Sequence, residues 1–495
     1  MAESQHYVFE SVLLGHLPDD ARKAFWKHVS GLEPWKHHPV INQGSWERLV
    51  GIHIHDDGCE FYKEDEYFVW SWSSIFATAG SIKDVLMFRF PIAVIPERWM
   101  RTASVRDEVH KKIAELTAWS MEYAGRGTWP QTGFEGEEFH PKTTRFKRKG
   151  SELAKGWRAC LFAFKADLKA RHQMHKLKRW YKCNEFCDRC LALQGDNCPS
   201  ELDYRNVGPS AAWNLTTITD ETYRVLDRGS LSPWAQVPGF HFLTISHDWL
   251  HHVYLGTARD LCASGILVLI QHGRFTAEAQ GASDMEEILA SVHASMRKTC
   301  TEHGLYLPAK PCLTSANLGF NDGFAELGTR YKASHVKLIV WWLARETQQF
   351  ADQNPQEPVL NVLATCCYSL QRVIELMDTS GFIFSVAEAS EACESLKTHL
   401  KTYMWLAWYS YSRCLLLFKV RCKTHYNFHV ADDIKATRLN PAMFQNFDEE
   451  SFLGKLKHIG IRCHGATCVQ RMFMRYLLCL AMFVREFSKK ANHME

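Results

Sequence analysis

The sequence predicts an α+β protein, a mixed-sheet core interrupted by a large all-helical insertion. Three observations predict it. Four short apolar or alternating runs precede Asp167. A stretch with helical periodicity separates the third run from the fourth. From Leu255 onward the chain reads as one amphipathic helix after another.

The elements follow in order. Residues 1–47 read as a helical and then irregular segment carrying Trp26, Trp35 and His38-Pro39. Leu49 to Asp57 (LVGIHIHDD), Glu66 to Ser73 (EYFVWSWS) and Asp84 to Ile95 (DVLMFRFPIAVI) read as three strands of a meander. Val105 to Tyr123 places Val109, Ile113, Leu116 and Trp119 on one helical face. A Gly-rich, basic loop over 125–150 leads to a fourth strand, Gly156 to Ala166, which runs into Asp167. The first part of the core, 48–255, then takes in a Cys-rich segment, Cys183 to Cys198. Helices are expected near 256–273, 284–304, 334–352, 358–378, 387–418 and 467–490, so 256–420 forms the insertion and 421–495 closes the core. Three strands, a helix and a fourth strand, with acids at the ends of strands one and four, is the order of a ribonuclease-H-like fold.

Composition sets the class. The chain has 495 residues, 46% hydrophobic and 23% charged, which is ordinary for a globular protein of several domains. Its 17 Cys have no repeating frame and Met1 to Leu13 does not read as a signal peptide, so reduced thiols in nucleus or cytoplasm are expected, not secretion. Asn214-Leu215-Thr216 fits a glycosylation pattern that such a compartment would leave unused. Apolar runs such as Tyr476 to Val484 are shorter than the ~20 residues of a membrane helix, so no membrane span is expected. A net charge of +3 is too mild to prove nucleic-acid binding. No Ser-His-Asp elbow, Walker loop or dinucleotide fingerprint occurs.

Five motifs can carry chemistry. Asp56-Asp57, before Gly58, offers hard oxygens suited to Mg²⁺ or Mn²⁺, or simply a turn at a strand end. Asp167 ends a largely apolar run, as a ligand or as a helix N-cap. Cys187-Asp-Arg-Cys190 is half of a zinc site, and His425-x-x-x-His429 presents two imidazoles on one helical face as the other half. Buried thiols and unrelated histidines describe the same residues. Asp248-x-x-His251 can share a metal or a hydrogen bond, or open a helix. The acidic triplet Asp448-Glu449-Glu450 suits a helix start whatever else it does.

The ordered set resembles eukaryotic DDE-type transposases of the CACTA (En/Spm-like) kind and related protist elements, over roughly residues 38–485. The resemblance implies a ribonuclease-H-like core with two Asp and one Glu, interrupted by a helical insertion. By motif, the acids fall on Asp57, Asp167 and Glu450, with Asp56 and Glu449 as near alternatives, and the Asp-x-x-His signature on Asp248 and His251. It implies Mg²⁺ or Mn²⁺ at the acids, and cleavage and strand transfer on DNA. Zn²⁺ on Cys187, Cys190, His425 and His429 would pin the helical region to the core. Arg145, Lys147, Arg148, Lys149, Lys165, Lys169, Arg171, Lys178 and Arg179 would hold the DNA backbone. Homo-oligomeric assembly is the usual working state of such enzymes. They usually carry a separate N-terminal DNA-binding region, whereas here 55 residues precede Asp56. That departure suits a truncated, decayed or domesticated element, or one needing a partner. Two other readings stay open: a non-catalytic DNA-binding or scaffold protein of the same descent, and an unrelated zinc protein using Asp248, His251 and His252 or a helical interaction module.

Overall fold

The computed structural model describes residues 10–62, 65–77, 84–208, 210–226, 231–275, 284–319 and 323–491. Residues 1–9 of the expected N-terminal segment and 320–322, expected as loop, lie outside them. In chain order come α1 (Asp19–Val29), β1 (Leu49–Tyr62), β2 (Asp65–Ser74), β3 (Phe90–Pro96), α2 (Ala103–Arg126), α3 (Thr144–Arg148), β4 (Arg158–Lys165), α4 (Leu168–His175) and α5 (Asp220–Leu226). A π-helical turn, Leu250–Thr257, leads into α6 (Ala258–Gln271), α7 (Met285–Glu302), α8 (Ala333–Gln353), α9 (Pro358–Thr379) and α10 (Val386–Tyr411). The chain ends with α11 (Cys422–Thr437), α12 (Phe447–Gly460) and α13 (Cys468–Ala491). The protein is thus a mixed α+β chain with one four-stranded sheet among the described residues. It divides into two units: Met1–Trp180 with Ile218–Ser246 and Asn446–Glu495, and Tyr181–Thr217 with His247–Gln445.

The first unit holds the sheet, in order β3-β2-β1-β4. β1 is antiparallel to β2 and parallel to β4, the latter from Leu49↔Arg158 to His55↔Lys165. Beyond β4 the chain returns at Ile245, which bridges Phe164 in the parallel sense, and the Ser246 N–H donates to the Phe164 carbonyl at 3.0 Å. Alternation along β1 sends Val50, Ile52 and Ile54 to one face, into a core with Trp70, Leu161, Phe164 and the α2 residues Ile113, Ala114 and Met121. The opposite face joins Phe61, Tyr67 and Val69 to Phe452, Leu453 and Leu456 of α12 and Met472 and Tyr476 of α13. Burying each such side chain is worth about 1.5–3 kcal/mol.

Two strand boundaries differ from expectation. The third strand begins at Phe90, not Asp84, because the Asp84 carboxylate accepts from the Leu86 N–H at 3.0 Å and caps a 3₁₀ turn over Val85–Met87. β1 does not stop at Asp57 but continues to Tyr62, pairing Asp57 with Val69 and Gly58 with Phe68. Gly58 sits close against β2, where a Cβ would meet the Glu66 carboxylate unless that side chain moved aside.

In the second unit, α6 is buried from Ala258 to Ile270 on all its faces and forms a central helix. Gly265 brings it close to α8, where a Cβ would lie 2.9 Å from Leu343 Cδ2. α10 opens with a capping box, the Glu388 N–H donating to Ser385 Oγ and the Ser385 N–H to Glu388 Oε2. It ends at Tyr411, short of the expected 418, and Cys414 and Phe418 then take left-handed backbone. Two helical stretches, Leu250–Gln271 and Gly465–Glu486, are long and apolar enough by length and composition to cross a membrane, which the apolar runs of the sequence did not suggest; the first is 94% buried within the protein.

Candidate metal centres

In the first unit, β1 carries His53, His55, Asp57 and Cys59 on one face, by the period of two. α12 packs over that face: Cys59 Sγ donates to the Leu453 carbonyl at 3.7 Å, and a Cβ on Gly460 would lie 3.2 Å from Phe61. Burial pushes the Cys59 thiol up to about 12; Lys457 opposes this, and the charges of Asp57, Glu450 and Glu60 add to it. Asp57 is half-buried and its Oδ1 accepts from the Gly58 N–H at 2.7 Å; Glu450, in the first turn of α12, is exposed.

Asp167 lies two residues past Lys165, and Lys165 is the last β4 rung against His55 of β1. Asp57 lies two residues past His55. Each acid thus lies two residues past the last β1–β4 rung, Asp57 still within β1 and Asp167 beyond the end of β4. Asp167 is also the N-cap of α4, its Oδ1 accepting from the Ala170 N–H at 2.6 Å. Asp56, on the other face of β1, is buried, and its Oδ1 has no hydrogen-bond partner among the described residues. Burial, then the charges of Asp57 and Asp167, hold its carboxyl well above the usual range.

Glu449 has a different role from its neighbour. It is buried, with Oε1 2.8 Å from Lys165 Nζ and 2.7 Å from Arg89 Nη1. Arg89 also reaches Asp448 at 3.1 Å. Burial alone would raise the Glu449 carboxyl, but Arg89, Lys165 and His55 outweigh it and bring it down to about 2. Burial likewise pushes Lys165 down, against the pull of Glu449. This clamp fixes the start of α12 on the sheet and leaves the next residue, Glu450, outward.

The basic residues divide. Arg145, Lys147, Arg148 and Lys149, on and just after α3, are exposed, as are Lys169 and Lys178, with Arg179 partly so. Arg148 stacks over the Trp129 ring at 5.5 Å. Lys165 and Arg171 depart from expectation: both are buried, and Lys165 is spent on Glu449, so neither is a surface cation.

The second unit brings together Cys187, Cys190, His425 and His429, whose ligand atoms all lie within 4.8 Å of one another. Cys187 Sγ is 3.3 Å from His429 Nε2, Cys190 Sγ is 3.3 Å from His425 Nε2, and the two Nε2 atoms are 3.1 Å apart. A zinc tetrahedron with bonds of ~2.0–2.3 Å has edges of roughly 3.3–3.8 Å, so the cluster matches its scale. Backbone N–H groups of Arg189 and Ala192 donate to Cys187 Sγ and Cys190 Sγ, each at 3.4 Å, which suits thiolates. Trp213 and Phe186 set their rings against His425, at 4.4 and 5.1 Å. The Tyr426 hydroxyl donates to the Phe186 carbonyl at 2.6 Å and ties α11 to the Cys loop. Burial pushes the Cys187 thiol up, the direction a bound cation reverses. This Cys₂His₂ set can bind zinc, and all its ligands belong to the second unit, where they join the 181–217 segment to α11.

Asp248 and His251 also lie in the second unit. Asp248 Oδ2 and His251 Nδ1 are 2.5 Å apart, while Asp248 Oδ1 accepts from the Leu250 N–H at 2.9 Å. The motif opens the π-helical turn and pairs acid with imidazole. His252 turns instead toward Tyr426, ring centroids 5.3 Å apart.

Two residues of the carboxylate site escaped sequence reasoning. Glu66 stands beside Gly58 and approaches Lys169 at 4.0 Å, and its only signal was its place at the start of a strand. Arg89 lay inside a run read as apolar strand. No family model matches the chain, and no curated protein matches it.

Proposed function

We propose that the chain is a transposase-like, metal-dependent DNA phosphodiesterase capable of strand transfer, with Asp57, Asp167 and Glu450 as its metal-holding carboxylates. One observation carries the reading. Asp57 and Asp167 each lie two residues past the last β1–β4 rung, His55↔Lys165, and Glu450 stands in the first turn of α12, which packs over the face of β1 that carries Asp57. The order β3-β2-β1-β4, extended by the parallel bridge at Ile245, supports a ribonuclease-H-like core. The second unit's long run of helices, between Ser246 and Asn446, supports an insertion ahead of the third acid.

The donor set fits a hard divalent cation. All its donors are carboxylate oxygens, the ligand type that Mg²⁺ and Mn²⁺ prefer. Bound Mg²⁺ or Mn²⁺ would supply activation of an attacking oxygen and charge neutralisation at the phosphate. The chain's own residues supply orientation. The α4 cap holds one Asp167 oxygen, and the Glu449 clamp sets the helix turn that carries Glu450. Arg145, Lys147, Arg148, Lys149 and Lys169 hold backbone phosphates without reading sequence. The Cys₂His₂ cluster serves structure, since its four donors leave no open position.

A supercoiled-plasmid nicking assay tests the reading. Wild type should nick with Mg²⁺ or Mn²⁺ and not with chelator. Asp57→Asn, Asp167→Asn and Glu450→Gln should each lower the rate at least about 100-fold while remaining folded. Metal-independent nicking, or full activity in the Asp167→Asn variant, overturns it.

A further inference from the structure

We propose that the end of α10 is a stacking platform for single-stranded nucleic acid, separate from the carboxylate site. The last turns of α10 expose an unusual amount of ring. Trp408 is 64% exposed and Tyr411 81% exposed, three residues apart on one helical face. On the adjoining stripe, Trp405 and Tyr409 stack with centroids 5.2 Å apart and planes 22° from parallel. The Arg413 guanidinium lies 3.6 Å from the Tyr409 centroid, held there by the Tyr409 carbonyl and Ser412 Oγ. The result is a cation-capped pair of rings beside two open ones.

Rings left in water at this density mark a surface that binds something. Charge says what. From Ser395 to Ala431 the chain has no Asp or Glu, yet carries Lys397, Lys401, Arg413, Lys419, Arg421 and Lys423. Lys397 is paired with Asp432 and Arg421 with Asp260 and Glu326. Lys401 and Arg413 are exposed, while Lys419 is partly buried and adds its charge to the field at Asp260. Flat rings interleaved with the cations Lys401 and Arg413 fit bases that stack and phosphates that need counter-charge. A duplex hides its base faces, so the ligand is an unpaired strand. The backbone after α10 supports a fixed shape: Ala325 N–H donates to the Leu416 carbonyl, and Lys419 lies over Phe324, itself partly exposed.

The test is metal-free binding of a fluorescein-labelled oligothymidylate to the full chain, read by anisotropy and by quenching of tryptophan emission. Working in chelator, with the Asp167→Asn variant as a parallel sample, separates this site from cleavage. Both wild type and Asp167→Asn should bind and quench. Trp408→Ala with Tyr411→Ala should weaken binding roughly 5- to 100-fold per ring removed and lose most of the quenching. Trp408→Phe with Tyr411→Phe keeps two rings and should bind within about 5-fold of wild type. No binding by wild type, or equal affinity in the double-Ala variant, overturns the proposal. So does a loss of self-association in the double-Ala variant with oligothymidylate affinity unchanged, because the rings would then serve a protein interface.

Discussion

Lys165 Nζ lies 2.8 Å from Glu449 Oε1, and both side chains are buried. The pair gives two adjacent acids opposite phenotypes. Glu449→Gln leaves Lys165 and Arg89 buried with less counter-charge, and should cost about 3 kcal/mol of stability in urea unfolding. Glu450→Gln, on an exposed side chain, should change stability by less than about 0.5 kcal/mol and abolish nicking. A stable Glu449→Gln variant, or a strongly destabilised Glu450→Gln, would contradict the assignment.

Asp167 has two tasks that substitutions can separate. Asn caps a helix about as well as Asp, whereas Ala loses the bond to Ala170. Asp167→Ala should therefore lower stability by about 1 kcal/mol and Asp167→Asn by much less. Both should remove metal-dependent nicking equally. A difference in activity matching the difference in stability would mean the residue acts only as a cap.

The thiol–imidazole cluster predicts a single zinc equivalent per chain by elemental analysis. Cys187→Ser and His429→Asn should each lose it, with a stability loss in the second unit of more than about 4 kcal/mol. Chelation of the wild type should lower the melting temperature, and zinc alone should restore it. Retained zinc in both variants would place the metal elsewhere.

Acid should weaken the fold before carboxylates are protonated. Burial holds His38, His110 and His399 down to about 4, from an ordinary 6.5. His38 Nδ1 accepts the Val40 N–H at 3.1 Å, a bond only the neutral ring can accept. The folded chain binds fewer protons than the unfolded one between these values. Stability from these rings is full above about 6.5 and is lost as pH falls toward about 4. Each can account for up to about 3 kcal/mol. Urea midpoints across that range should fall for wild type and fall less steeply for His38→Gln with His110→Gln. A flat wild-type profile would contradict this.

Local pattern carried the strands of the sheet and the thiol–imidazole cluster. Leu49-Val50-Gly51-Ile52 and Leu161-Phe162-Ala163-Phe164 are apolar enough to be strands in any context, and Asp167 follows a strand by inspection. Spacing alone picked out Cys187 with Cys190 and His425 with His429, because three- and four-residue separations fix side-chain proximity within a turn or helix. What failed depended on distant partners. β1 runs through Asp56-Asp57-Gly58 because its backbone keeps pairing with β2 as far as Tyr62↔Asp65, and no local signal shows that. Lys165 was read as a surface cation because charge usually means exposure, whereas its partner lies 284 residues further on.

The most direct measurement is where Mn²⁺ binds. Crystals of the protein soaked in Mn²⁺ should give anomalous peaks contacted by Asp57 and Asp167, with Glu450 beside them, and none in Asp57→Asn crystals. Mn²⁺ held by Asp56 without Asp57, or no peak near these carboxylates at saturating metal, would contradict the account.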